Sequence, residues 1–291
     1  MFVATLLTDP ARPALGAATV ARLAAAWDGG APRWLAPGEA VEFDLPAEPA
    51  DLWDRWAALQ AQGIDLAVQP AAGRRKRLLL ADMDSTMIRQ ECIDELAAVA
   101  GIGPQVAAIT ARAMNGELEF EGALRERVAL LAGLDAGVID RVMAERIGFT
   151  PGGQALVATM AAAGARCVLV SGGFTAFTER VAASLGFHEH HANVLEIAGG
   201  RLTGQVREPI LGRAAKLATL ETLAAAEGLT PDDALAIGDG ANDLAMLQRA
   251  GMGVALHAKP AVAAECRLRV NHGDLTAALY LQGYARAAFA A

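Results

Sequence analysis

A chain of 291 residues with 54% hydrophobic and 20% charged residues has core material for one large domain or two compact ones. Its net charge of −8 argues against a nucleic-acid or anionic-membrane surface, and its one basic run, Arg74-Arg75-Lys76-Arg77, has the length of a solvated linker. Cys92, Cys167 and Cys266 show no C-x-x-C spacing, no apolar run reaches membrane-spanning length, and Asp9-Pro10 breaks the first one, so a soluble cytoplasmic protein is expected.

Residues 1–73 are predicted to form a small domain. Phe2–Leu7 reads as a strand, Leu15–Trp27 as a helix closed by Gly29-Gly30, and Pro32–Leu35 and Ala40–Leu45 as strands about a Pro-Gly turn. Ala50–Gln62 reads as a second helix and Ile64–Val68 as a last strand. The β-α-β-β-α-β order is ferredoxin-like. In that order alone the segment resembles ACT-type regulatory domains, which implies an amino-acid sensor; a docking or homodimerising module is equally compatible.

From residue 74 to 291, strands and helices alternate, as in a doubly wound, Rossmann-like parallel α/β sheet. The predicted strands are Leu78–Ala81, Cys167–Val170, Ala234–Ile237, Gly253–Leu256 and Leu268–Val270. A helical insertion at about 88–150 separates the first two. It is too long for an ordinary connection and is expected to be a lid or specificity element.

Chemistry concentrates at three strand ends. Leu78-Leu79-Leu80-Ala81 runs into Asp82-Met83-Asp84-Ser85-Thr86, and two carboxylates this close repel unless a cation or a proton is shared. A hard ion such as Mg²⁺ suits them. An EF-hand does not, because its required Gly and Glu positions hold Met87 and Ile93. Ser171-Gly172-Gly173, before a helix opening at Thr175, offers a hydroxyl and amides to a phosphate. Gly238-Asp239-Gly240-Ala241-Asn242-Asp243 adds acids and tight-turn glycines. Lys216, in the predicted helix Arg213–Ala226, could bring a point charge, although a lysine on a helix is more often solvated.

In order and spacing, Asp82-Met83-Asp84-Ser85-Thr86, Ser171-Gly172-Gly173, Lys216 and Gly238-Asp239-Gly240-Ala241-Asn242-Asp243 resemble the four motifs of the haloacid dehalogenase superfamily of phosphohydrolases. Within it, Glu91, Met114-Asn115-Gly116, Phe120 and Arg125-Glu126-Arg127-Val128 resemble the phosphoserine phosphatases. The resemblance implies a Mg²⁺-dependent hydrolysis of O-phosphoserine, the last step of serine biosynthesis. It implies Asp82 as nucleophile and Asp84 as general acid and base. It also implies metal ligation by Asp82, the Asp84 carbonyl and Asp239, with Asp243 and Asn242 ordering the surroundings. Ser171, Gly172 and Lys216 would bind the phosphoryl group. A C1-type helical cap would supply Glu91 for the substrate ammonium, Arg127 for its carboxylate, and Met114 and Phe120 as walls.

Two other readings stay open: a hydrolase or phosphotransferase for another small phosphomonoester, and an amino-acid-sensing protein with a vestigial core. His188, His190 and His191 are read as a solvated loop rather than a metal site, and Cys92 as packing.

Overall fold

The computed structural model describes residues 1–114 and 117–290, with Met114 described in its backbone only. Asn115, Gly116 and the Met114 side chain therefore lie outside the described residues.

The N-terminal sheet is built from β1 (Phe2–Thr8), β2 (Arg33–Ala36), β3 (Ala40–Leu45) and β4 (Ile64–Pro70), with α1 (Ala17–Ala26) and α2 (Leu52–Gln60) between them. Its antiparallel order is β2-β3-β1-β4, as in a ferredoxin-like fold. Both faces are covered. Ala4 and Leu6 of β1 join Val20, Leu23 and Leu52 in a core under the two helices, whereas Leu7, Ala40 and Ala67 pack into the larger core of the rest of the chain.

The second sheet begins with β5 (Leu78–Ala81), whose residues are all fully buried. Leu78 and Leu80 face one core and Leu79 and Ala81 another, as the period of two requires for a central strand. Each fully buried leucine contributes about 1.5–3 kcal/mol of transfer free energy. After a tight turn at Met83–Met87 come the cap helices α3 (Cys92–Val99), α4 (Gly103–Met114), α5 (Phe120–Ala129) and α6 (Val138–Glu145). The chain then follows α7 (Gly153–Ala162), β6 (Arg166–Phe174), α8 (Thr175–Leu185), β7 (Glu189–Asn193) and the hairpin β8 (Leu195–Ala198) and β9 (Arg201–Val206). The last elements are α9 (Arg213–Ala226), β10 (Ala234–Gly238), α10 (Leu244–Arg249), β11 (Met252–Leu256), α11 (Pro260–Ala264), β12 (Leu268–Val270) and α12 (Ala277–Leu281).

The sheet is parallel throughout, in the order β12-β11-β10-β5-β6-β7. The chain winds outward from β5 to β7, then crosses back to β10. That reversal opens a crevice beyond the carboxyl ends of β5 and β10, where ligands bind in such sheets. Among the described residues, no helix is long and apolar enough to cross a membrane.

One prediction needs correction. The His188–His191 stretch is not a solvated loop: residues 189–193 pair with β6 as the sheet's edge strand. The His188 ring accepts from the Cys167 amide at 3.0 Å, and His190 lies 2.9 Å from the Thr178 hydroxyl. The β8–β9 hairpin was not foreseen at all.

Candidate active site

Asp82 leaves the end of β5 with its amide still bonded to the Ile237 carbonyl of β10 at 2.9 Å, which points the side chain into the crevice. Lys216 reaches the same place from α9. Its stripe Lys216, Leu220, Ala224 follows the helical repeat and faces the sheet, so the lysine is wholly buried rather than solvated. Its ammonium bridges the carboxylates of Asp82 and Asp243, the latter at 2.6 Å. Burial alone would lower the Lys216 ammonium, but Asp243 and Asp82 overcome this and hold it above its ordinary value.

Asp82, Asp239 and Asp243 are all buried, and each has a carboxylate oxygen within 4.8 Å of the others. One ammonium among three carboxylates leaves two negative charges uncompensated when all are ionised. The strain shows in the acids: burial, then the charge of Asp243, raises Asp82 above the ordinary carboxylate range and pushes Asp239 up to about 6. An all-oxygen cluster with an excess of two negative charges is what a hard divalent cation fits. The Asp84 side chain is not part of it.

Asp84 is turned toward β6 and the cap instead. One oxygen accepts from the Cys92 amide at 2.8 Å and the other from the Ser171 hydroxyl at 3.0 Å. Burial, then the charge of Glu91, pushes its carboxyl up to about 6, so the protonated form is accessible near neutrality. Gly173 makes this approach possible, since a Cβ there would stand 2.6 Å from the Asp84 carboxylate. The Ser171 hydroxyl in turn accepts from the Gly173 amide at 2.8 Å.

Asp82, Asp84 and Asp239 border a cavity of about 570 Å³ between core and cap. Glu91, Phe120 and Arg127 enter it from the cap, and Gly172 and Asn242 from the core. Phe120 lies over Gly172 and Gly212, where added Cβ atoms would come within 3.1 and 3.2 Å of its ring. Arg127 is half-buried; burial lowers its guanidinium while Asp94, Glu91 and Asp84 oppose the shift. Thus every expected site side chain among the described residues is brought to this one crevice.

Several contributors were not foreseen. Ser85 adopts a left-handed backbone at φ 56° and donates to Glu91 at 2.7 Å, fixing that carboxylate at the cavity rim. Asn193 is buried and donates to the Gly172 carbonyl at 2.8 Å while accepting from the Leu211 amide at 2.7 Å, which ties the Ser171-Gly172-Gly173 turn to the approach of α9. Arg213 and Lys259 also line the cavity. The left-handed Ser85 has no sequence signature beyond its place after two acids.

Comparison with known proteins agrees with this geometry. The model of the haloacid dehalogenase-like hydrolase family matches residues 79–248. The chain is 46% identical over 254 residues to a phosphoserine phosphatase of Streptomyces coelicolor, covering 86% of this chain but only 62% of that protein's length. Among solved structures, a HAD family hydrolase from Salmonella enterica serovar Typhi superposes with a TM-score of 0.86 at 30% identity, covering 97% of this chain and 98% of that one. A probable phosphoserine phosphatase from Vibrio cholerae gives 0.80 at 32% identity, covering 99% and 87%. Both superpositions include the N-terminal sheet as well as the parallel one. On the matched motifs and the crevice they build, the chain belongs to the haloacid dehalogenase-like hydrolases.

Proposed function

We propose that the chain is a Mg²⁺-dependent phosphoserine phosphatase that converts O-phospho-L-serine to L-serine and phosphate. The observation that carries this reading is the pairing of a buried nucleophile-and-cation set, Asp82 with Lys216, with a cavity whose cap side presents both a carboxylate and a guanidinium. The relatives of that name support the substrate class.

An oxygen of Asp82 attacks phosphorus, the bond to the serine oxygen breaks, and Asp84 gives that oxygen its proton. Water then attacks the aspartyl-phosphate and its proton passes to Asp84, which frees phosphate and restores both acids. Asp82, Asp239 and Asp243, with the Asp84 carbonyl, would hold Mg²⁺, whose charge when bound offsets the repulsion between carboxylate and phosphate. The Ser171 hydroxyl, the Gly172 amide, Lys216 and Asn242 stabilise the phosphoryl oxygens. Arg127 forks onto the substrate carboxylate, Glu91 pairs with its ammonium, and Phe120 excludes water. Residues 1–73 act as a domain beside the catalytic one, and the cap at about 88–150 as the specificity element.

Phosphate release should be measured with O-phosphoserine, O-phosphothreonine and sugar phosphates. A clear preference in kcat/KM for O-phosphoserine is expected. Equal or better turnover of a phosphomonoester without an amino acid end would replace this substrate with that one.

A further inference from the structure

Arg213 opens α9 three residues before Lys216, is exposed, and lines the cavity. Among the described residues it makes no ion pair and no side-chain hydrogen bond. A cation in the first turn faces the positive end of the helix dipole, so local energetics disfavour it there, and no acid in that turn compensates. A position that breaks a local rule without a compensating partner is where functional demand is expected. Lys259 lines the same cavity, and its charge is felt by Asp239 and Asp94.

The setting gives these charges a task. The chain carries a net charge of −8, and Asp84 and Glu91 line the cavity beyond the acids that would hold the metal, so a phosphomonoester dianion is repelled at long range. The buried Lys216 is already bridged by two carboxylates and projects little positive field outward.

We propose that Arg213, assisted by Lys259, recruits the phosphomonoester dianion to the mouth of the cavity and turns its phosphate toward Lys216, taking no part in bond making. This rests on the phosphatase reading, but only on its phosphate end. Arg213 is thus a positioning residue that acts through charge.

The test compares wild type, Arg213→Gln, Arg213→Glu and Arg213→Lys across ionic strength. Arg22→Gln, an exposed change of the same charge on α1, is the control. At low salt, Arg213→Gln should raise KM about 3- to 10-fold with kcat unchanged, Arg213→Glu more, and Arg213→Lys little. The differences should fade by about 0.5 M salt, where screening is nearly complete. An unchanged KM in both the Gln and Glu variants at low salt overturns the proposal, as does a fall in kcat at constant KM. If O-phosphoserine is not turned over but another phosphomonoester is, the substrate assignment fails and the same comparison runs on that ester. Calorimetry with inorganic phosphate carries the comparison without turnover. Weaker binding to Arg213→Gln at low salt supports recruitment, and equal binding overturns it.

Discussion

Lys216 is the side chain on which the buried acids depend. Removing one member of a buried ionic set strands the rest, so Lys216→Ala should cost about 3–5 kcal/mol, read as a lower urea midpoint. An unchanged midpoint would mean that Asp82 and Asp243 do not need the ammonium. The acid cluster makes a second expectation. Mg²⁺ at about 100 times its dissociation constant should stabilise the wild type by about 2.7 kcal/mol and Asp239→Asn by clearly less, seen in melting temperature. Equal shifts in both would remove Asp239 from the metal site. Asp82, Asp84, Asp239 and Asp243 were legible because carboxylates at the end of a buried apolar strand carry a desolvation cost that packing does not offset. Ser85, Asn193 and Arg213 were not, since each gains its role only from a neighbour distant in sequence or from a backbone angle.

The elements were legible to the degree that they are apolar. β5 and β10 are short hydrophobic runs and appear where the pattern places them. β7 and β9 mix His, Glu, Thr and Gln with few apolar residues, and β8 is only four residues long with its Ile197 exposed, because an edge strand and a hairpin outside the main sheet bury only part of each side chain. Gly199-Gly200, both at positive φ, was the available hairpin signal. The division of labour between core and cap can be tested through α5. Arg127→Ala should lower kcat/KM for O-phosphoserine about 10- to 100-fold, the worth of a charge-assisted hydrogen bond, while leaving turnover of phosphoethanolamine, which has no carboxylate, nearly unchanged. Equal losses on both would place Arg127 in fold maintenance rather than in substrate choice.

Across the whole molecule, the two sheets are joined by buried polar contacts as well as apolar ones. Asp65 of β4 is buried and accepts from the amides of Asn271, His272 and Gly273 at 2.9, 2.9 and 2.8 Å. Gln69 donates to the Leu281 carbonyl at 2.7 Å, and the Tyr280 hydroxyl to Glu39 at 2.7 Å. This seam was invisible in the sequence, where residues 1–73 read as an independent unit. Asp65→Ala strands three amides and should cost roughly 2–4 kcal/mol in denaturant titration, with kcat little changed. A loss of turnover without loss of stability would instead connect the seam to catalysis.

The proposed reaction centres on covalent transfer of the substrate's phosphoryl group to the Asp82 carboxylate. Rapid-quench incubation with phosphoryl-labelled O-phosphoserine and Mg²⁺, followed by peptide mapping, tests that most directly. The label should appear transiently on the peptide that contains Asp82 and be absent from Asp82→Asn. Released phosphate with no label on that peptide, or undiminished turnover by Asp82→Asn, would contradict it.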